Sequence, residues 1–241
     1  MPDHRTHRGP HPNDHALFSP ATLPALRSAT ADLSWLLERG YVIQSALKLT
    51  GDRYALTARQ RAAVSRCSCP RPVALERMRR MQPSASLVGA ELAIDGFNVL
   101  TSLEVALSGG VVLIGRDTVM RDIAGVHGSY RSVEETMPAL LLLGEVLRAL
   151  RVGRCEWLLD APVSNSGRLC STIMRVAAEH ALPWTARVVA DPDGLLADSP
   201  HVVASADGQV LDAAARSCNL ARVCVERAVP GAFVIDLSAD P

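Results

Sequence analysis

The stretch ELAIDGFNVL, residues 91–100, is an apolar run that ends on an aspartate and a glycine, with an asparagine two residues later. Its first half has the length and composition of a buried strand, so Asp95 would stand at the carboxyl end of that strand. One explanation is that Asp95 and Gly96 only form the turn that follows. The other is that Asp95 belongs to a site built at the ends of several strands.

Further strand-like and helical segments alternate after this stretch. Short apolar runs predict strands at LAID (92–95), VVLIG (111–115), CEWLLD (155–160), TARVVA (185–190), HVVASAD (201–207) and AFVID (232–236). Helical patterns lie between them, around 133–151, 167–182 and 208–217. This alternation predicts an α/β fold of three layers with a mostly parallel sheet.

The chain before residue 87 has a different texture. Residues 1–20 are rich in proline and histidine and offer little to bury, so we expect a disordered tail. Residues 21–82 show helical periodicity, and Thr57 with Gln60 has the spacing of a capping box. We call residues 21–82 the helical module. QPSAS (82–86) has the composition of a linker, and residues 87–241 would form the α/β domain.

The formal net charge of zero hides an asymmetry along the chain. Residues 48–80 carry nine basic and two acidic side chains, whereas residues 81–241 carry 12 arginines against 19 acidic side chains. This pattern indicates either a basic surface for nucleic acid beside an acidic domain that holds cations, or a simple drift of surface charge. On the first reading, Arg59, Arg61 and Arg66 would contact the nucleic acid.

Membrane proteins, secreted proteins and zinc proteins are disfavoured. The longest apolar stretch, PALLLLGEVL, is far shorter than the roughly 20 residues of a membrane helix. The polar start lacks the apolar core of a signal peptide. The six cysteines include no CxxC pair, so we expect free thiols in a cytoplasmic protein without a membrane partner.

Four of the predicted strands end on aspartate, at Asp95, Asp160, Asp207 and Asp236, and the sequence indicates no role for Asp236. In open α/β sheets, sites gather at the carboxyl ends of strands near the point where the strand order reverses. Converging carboxylates repel each other unless cations neutralise them, and Mg²⁺ or Mn²⁺ prefers such oxygen ligands. The pattern favours a shared metal site, although each aspartate alone could be a turn former or a helix cap.

Other polar residues could complete such a site. Asn98 could contact phosphate or cap the next segment, and Ser166 in SNSG could bind an anion at a helix N-terminus or act as an ordinary cap. The polar segment 116–136 offers more groups, unless it is a solvated, salt-bridged loop. Its possible metal ligands are Asp117, Asp122, Glu134 and Glu135, and its possible phosphate contacts are Arg121 and Arg131.

Several stretches, in order, resemble a prokaryotic family described as domain of unknown function 434. They are GYVIQSALKLTGDRYALTARQRAAVSR (40–66), AIDGFNVLTSLEVALSGG, RDIAGVHGSYRSVEET and ASADGQVLD, and the likeness covers about residues 30–215. The second half also resembles the PIN/NYN nuclease superfamily. That resemblance implies that Asp95, Asp160 and Asp207 bind metal and that Asn98 is the accompanying asparagine. The helix glutamate of PIN proteins would be Glu134 or Glu135.

The leading hypothesis is therefore a metal-dependent ribonuclease of PIN-like fold. Asp95, Asp160 and Asp207 would bind Mg²⁺ or Mn²⁺, with Glu135 or Asp122 assisting, and the superfamily resemblance implies products with a 5′-phosphate and a 3′-hydroxyl. One alternative is a nucleic-acid-binding regulator without catalysis, which would use the helical module. Another is a binding protein for a phosphorylated ligand at the same strand ends.

Overall fold

The computed structural model describes residues 6–123 and 130–239. In these ranges the helices are α1 Asp14–Leu17, α2 Leu23–Glu38, α3 Ile43–Arg53, α4 Ala58–Cys67, α5 Arg71–Arg80, α6 Gly96–Leu107, α7 Thr136–Ala149, α8 Ser166–Glu179, α9 Pro192–Ala197, α10 Gly208–Ala213 and α11 Leu220–Ala228. A 3₁₀ turn covers Ser84–Leu87. The strands are β1 Leu92–Asp95, β2 Val111–Ile114, β3 Met120–Asp122, β4 Cys155–Asp160, β5 Trp184–Val189, β6 Val202–Ala204, β7 Ser217–Cys218 and β8 Phe233–Asp236.

Five strands form a parallel sheet in the order β5-β4-β1-β6-β7. Ile94 of β1 pairs with Trp157 of β4 on one side and with Ala204 of β6 on the other, and all three side chains are buried. Helices α6, α7, α8 and α11 cover one face of the sheet, and α9 and α10 cover the other. The predicted α/β class with a parallel sheet and three layers is confirmed.

The order of the strands places a switch point between β1 and β6. From β1 the chain reaches β4 and β5 at one edge of the sheet, then returns to β6 and β7 on the opposite side of β1. Helices on either side of such a point diverge and leave a crevice at the carboxyl ends of the strands. Asp95 at the end of β1 and Asp207 just after β6 stand on the two sides of this crevice.

A second sheet has the order β3-β2-β8, with β2 antiparallel to β3 and parallel to β8. Strand β3 lies inside the segment that the sequence predicts to be a connection. The apolar side chains of Val111 and Ile235 from this sheet pack with Leu26 and Val64 of the helical module in one core. The helical module therefore shares a hydrophobic core with strands that come from the α/β half of the chain.

The N-terminal residues differ from the prediction of disorder. Residues 1–5 lie outside the described part, but residues 6–20 are ordered: His7 and Arg8 contact the α/β half, and the segment that includes α1 packs on the helical module. Asp14 is fully buried and accepts hydrogen bonds from Nε and Nη2 of Arg59, and Phe18 is buried in the core of the module. A paired buried charge and a buried aromatic ring together order a segment whose composition predicts disorder.

The helical module consists of the four helices α2 to α5. Thr57 and Gln60 form the predicted capping box at the start of α4. Pro70 directly precedes α5 and Pro72 lies in its first turn, where proline is tolerated. Arg77 of α5 then ties the module to the α/β half through ion pairs with Asp117 and Asp212. Across the described ranges, no helix has the length and apolar character needed to cross a membrane.

Candidate functional site

A cavity of about 210 Å³ opens at the carboxyl ends of β1, β4 and β6. Its lining consists of Arg66, Asp95, Phe97, Asn98, Thr101, Asp122, Leu158, Asp160, Val163, Pro192, Asp193 and Asp207. We call it the acidic cavity, because five of these side chains are aspartates. The three strand-end aspartates predicted to lie together, Asp95, Asp160 and Asp207, all border it.

Asp95 is held from two sides. It caps α6 by accepting a hydrogen bond from the backbone N–H of Asn98 at 3.3 Å, and its Oδ2 accepts one from the hydroxyl of Ser205 at 2.8 Å. Gly96 starts the helix so close to β4 that an added Cβ would lie 2.5 Å from Cδ2 of Leu159. Asp95 therefore caps helix α6, which is a structural role, and also lines the acidic cavity at the carboxyl ends of the strands.

The pKa of Asp95 is raised to about 7. Burial is the main cause, and the negative charges of Asp193 and Asp207 add to it against the hydrogen bonds from Ser205 and Asn98. Burial and the neighbouring carboxylates therefore both disfavour the ionised form of Asp95. Such an environment favours the arrival of an external cation.

Ser205 and Asn98 join the two sides of the switch point. Ser205 donates to Asp95, and its oxygen also accepts from the backbone N–H of Asp207 at 3.0 Å. Asn98 Oδ1 accepts from the backbone N–H of Ala206 at 2.9 Å, which ties the start of α6 to the end of β6. Asp207 itself caps α10 through the N–H groups of Gln209 and Val210. The sequence had signalled Asn98 but not Ser205, which stands two residues before Asp207 in SAD.

Asp193 is a carboxylate of the cavity that the sequence prediction missed. It follows Pro192 in α9, and its pKa is raised by burial first and then by the charges of Asp207, Asp191 and Asp160. The signal was present, because DPDG (191–194) directly follows the predicted strand TARVVA. Asp160, at the end of β4, accepts no side-chain hydrogen bond within the described part of the chain.

Asp122, predicted as an assisting ligand, also reaches the acidic cavity. It lies on β3, is buried, and accepts a hydrogen bond from the hydroxyl of Ser102 at 2.8 Å. It further lines an adjoining polar cavity of about 290 Å³, which shares Arg66, Asn98 and Asp207 with the acidic cavity. The two cavities thus form one polar surface between the sheet and the end of α4.

Glu134 and Glu135, the two glutamates of the 116–136 segment, lie outside the acidic cavity. Glu135 Oε1 receives a hydrogen bond from Nδ1 of His7 at 2.7 Å, and Glu134 lies 3.4 Å from Nε2 of the same ring. This pairing raises the pKa of His7, chiefly through the hydrogen bond to Glu135. Neither glutamate lines the acidic cavity. The structure therefore does not bring Glu135, our predicted assisting ligand, or Glu134 to the three aspartates.

Asp117 and Arg121 form a buried structural pair. Arg121 donates through Nη1 and Nη2 to Asp117 and through Nε to the carbonyl oxygen of Ala206, and Arg77 donates to Asp117 as well. Burial alone would raise the pKa of Asp117, but the two arginines outweigh it and lower that pKa. The sequence predicted that Arg121 contacts phosphate and that Asp117 is a possible metal ligand. The structure instead pairs these two side chains with each other.

Two further residues that the sequence predicted to contact the substrate, Ser166 and Arg131, do not line the acidic cavity. The hydroxyl of Ser166 donates to the backbone carbonyl oxygens of Asp160 and Val163, so it fixes the loop after β4 and is not aimed at an anion. Arg131 is exposed, and its carbonyl oxygen accepts from Arg8.

Of the three arginines expected to bind nucleic acid, Arg66 alone lines the acidic cavity. It is exposed and makes no ion pair with any residue in the described ranges. Arg59 is committed to buried Asp14, and Arg61 pairs with Asp52 and donates to the carbonyl oxygen of Leu56. Pairing within the chain therefore removes Arg59 and Arg61 from the surface that would meet phosphate.

The donor chemistry suits a hard divalent cation, but the carboxylates line the cavity wall and do not converge on one point. Among residues 6–123 and 130–239, no group of three or more His, Cys, Asp and Glu side chains is arranged to hold a metal ion. The aspartate oxygens are nonetheless the ligand type that Mg²⁺ and Mn²⁺ prefer.

Comparison with known proteins shows two family matches and one curated relative. Residues 25–80 match the family "Protein of unknown function (DUF434)", which confirms that resemblance for the helical module and restricts it to that part. The chain is 28% identical over 187 residues to "Uncharacterized protein MJ0935" of Methanocaldococcus jannaschii, which covers 78% of this chain and 89% of the relative. No solved structure shows a significant match. Residues 84–223, more than half of the chain, match a second family and carry every aspartate of the acidic cavity, so the chain belongs to the family "Domain of unknown function (DUF5616)".

Proposed function

We propose that this protein is a divalent-metal-dependent nuclease that acts on RNA. The observation that carries the proposal is the acidic cavity, where aspartates from the ends of β1 and β4, from α9 and from the start of α10 surround one crevice at the switch point. Sites of α/β sheets form at this position. The resemblance to the PIN/NYN superfamily supports the same reading, because its matching positions Asp95, Asn98, Asp160 and Asp207 all line the cavity.

Asp95, Asp160, Asp193 and Asp207 would hold the metal. The raised pKa values of Asp95 and Asp193 support this assignment, since burial and the charges of neighbouring aspartates both disfavour their ionised forms, and a bound cation would offset this. A bound Mg²⁺ or Mn²⁺ would supply charge stabilisation at the phosphate and a water of lowered pKa. Glu135, which contacts His7, is not included in this set.

The other residues of the cavity would bind and orient the substrate. Arg66 offers at the rim a guanidinium that pairs with no residue of the described ranges, and this group recognises phosphate through charge-assisted hydrogen bonds. Ser205 and Asn98 fix the carboxylate of Asp95 and keep β1 and β6 in register. The acidic wall and the basic rim would thus place a phosphodiester between Arg66 and the aspartates.

The six cysteines are free thiols. This state agrees with a reducing compartment, and we propose the cytoplasm as the place of action.

The direct test is cleavage of single-stranded RNA with Mn²⁺ or Mg²⁺. Wild type should cleave, and Asp95→Asn and Asp160→Asn should lower the rate by orders of magnitude, because each removes a charged metal ligand. Asp236→Asn is the matched control: Asp236 also ends a strand, β8, but caps Ser238 and lies outside the acidic cavity. A wild type that binds RNA and cleaves none with either metal would favour a non-catalytic regulator.

A further inference from the structure

The helical module carries a second, larger depression of about 730 Å³. It lies between α2, α3 and the start of α5, and we call it the module groove. The side chains that give it chemical character are Ser34, Trp35, Arg39, Leu49, Arg53 and Arg71. None of the residues predicted as a site lines this groove.

Trp35 is the aromatic platform of the groove. Its side chain is 53% exposed, whereas the other two tryptophans, Trp157 and Trp184, are buried in the core. The guanidinium of Arg39 stacks over its ring with 3.5 Å between Cζ and the ring centroid, and Leu49 beside it is 62% exposed. A large apolar surface kept in solvent and bordered by charge is typical of a binding surface.

The charges around Trp35 favour an anionic partner. Four arginines line the module groove, namely Arg39, Arg53, Arg71 and Arg116, against the acids Asp32 and Glu38. Arg53 and Asp32 are 3.7 Å apart and both are solvated, so this pair is weak. Arg71 is exposed and has no ion pair or hydrogen bond with a residue of the described ranges. Guanidinium groups beside an exposed indole match the combination of phosphate and base.

A buried polar atom of the groove lacks a partner. Ser34 is 5% exposed, and its hydroxyl makes no hydrogen bond in the described structure. Thr30, one turn earlier on the same helix, donates to the carbonyl oxygen of Leu26. Ser34 therefore leaves a buried hydrogen-bonding group at the groove, where a ligand could satisfy it.

The module groove and the acidic cavity lie on either side of one short connection. Arg66 at the end of α4 belongs to the acidic cavity, and Arg71 at the start of α5 belongs to the groove. Five Cα steps of about 3.8 Å put their Cα atoms no more than about 19 Å apart. One extended chain of a few phosphates could therefore contact both arginines.

We infer that the module groove binds the single-stranded part of a nucleic acid, with a base stacked on Trp35 and phosphates on Arg53 and Arg71. This inference rests on the proposed function, because it assigns the region of the substrate that leads away from the acidic cavity. It also replaces Arg59 and Arg61 by Arg53 and Arg71 as the contacts of the helical module. Stacking accepts every base, so the groove would bind without strong sequence preference.

The test measures binding of a labelled 12-nucleotide oligouridine to the full chain without divalent cations. Binding should quench the tryptophan fluorescence of wild type, since Trp35 is the exposed indole. Trp35→Ala should weaken the affinity about tenfold or more. Arg71→Ala should weaken it and reduce the salt slope by about 1. Tyr41→Ala and Arg79→Ala are matched controls, because Tyr41 and Arg79 are exposed on the same module outside the groove.

The outcomes separate this inference from the nuclease proposal. The binding assay contains no divalent cation, so its result does not depend on whether the wild type cleaves RNA. Affinity and quenching that are unaffected by Trp35→Ala and Arg71→Ala would overturn the inference even if the wild type cleaves RNA. A wild type that shows no binding while an apolar or acidic peptide quenches Trp35 would also overturn it, in favour of a protein partner.

Discussion

The hydroxyl of Ser205 donates a hydrogen bond of 2.8 Å to Oδ2 of Asp95 and accepts one of 3.0 Å from the backbone of Asp207. One side chain, 3% exposed, thus connects two aspartates that are 112 positions apart in the sequence. It stabilises the ionised form of Asp95, because its hydrogen bond lowers a pKa that burial raises. Ser205 is therefore a positioning residue of the acidic cavity.

Ser205→Ala should weaken Mn²⁺ binding at pH 7 by about tenfold, because the loss of a hydrogen bond to a charged group costs on the order of 1.5–3 kcal/mol and raises the pKa of Asp95 further. Titration calorimetry against Mn²⁺ at pH 7 and pH 8.5 checks this, and the defect should shrink at the higher pH. Ser205→Thr should retain binding, and Ser86→Ala, at an exposed serine that bonds to Pro83, is the control. A Ser205→Ala variant that binds Mn²⁺ as tightly as wild type at both pH values would contradict the role assigned to Ser205.

Asp95→Asn should stabilise the metal-free protein at alkaline pH. The folded pKa of about 7 exceeds the ordinary value of about 3.9, so the native state holds a proton that the unfolded chain has lost between these limits. Stability from Asp95 is therefore lost as pH rises through this window. The variant should gain about 2–4 kcal/mol at pH 8 and close to nothing at pH 3.5, as measured by urea unfolding in EDTA. A variant less stable than wild type at pH 8 would show that Asp95 acts mainly as a helix cap.

Arg66→Ala and Arg59→Ala should have opposite phenotypes. Arg66→Ala should keep the stability of wild type but weaken RNA binding and reduce the salt slope by about 1, because one phosphate contact is lost. Arg59→Ala leaves Asp14 buried without its partner and should cost about 3–5 kcal/mol of stability. Its folded fraction should bind RNA normally. Fluorescence anisotropy across a salt series, together with thermal unfolding, distinguishes the two, and a binding defect only in Arg59→Ala would reverse our assignment.

Arg77→Met should destabilise the protein by about 3–5 kcal/mol, because it removes a partner of buried Asp117 and the link from α5 to Asp212 and Gly208. Arg79→Met, at a site 71% exposed on the same helix, should change stability by less than about 1 kcal/mol. Urea unfolding of both variants measures the difference. Equal stabilities would mean that the contact between the helical module and the α/β half contributes little.

Local pattern was sufficient to predict several elements. LAID and CEWLLD coincide with β1 and β4, since continuous apolar runs bounded by turns are typical of buried parallel strands. The capping box at Thr57 follows from spacing alone. Strand β3 was missed because MRD has no strand composition, and its charged side chains are buried through tertiary contacts, such as that of Arg121 with the carbonyl oxygen of Ala206.

The sequence indicated the strand-end aspartates of the candidate site together with Asn98, Asp122 and Arg66, but it missed Asp193 and Ser205. Asp95, Asp160 and Asp207 follow from the rule that parallel strands end at the same edge of a sheet. The pairing of arginines could not be predicted, because the partner of Arg59 is Asp14, 45 residues away, and that of Arg77 is Asp117. Charge along the sequence therefore indicated a basic module, whereas three-dimensional pairing leaves Arg66 and Arg71 available.

The most direct measurement is an anomalous difference map at the manganese edge from a crystal soaked in Mn²⁺. We predict a peak in the acidic cavity within about 2.0–2.4 Å of carboxylate oxygens of Asp95 and at least one of Asp160, Asp193 and Asp207, and loss of that peak in Asp95→Asn. A crystal with no peak in the acidic cavity at millimolar Mn²⁺, or with a peak that persists in Asp95→Asn, would contradict the metal-dependent site.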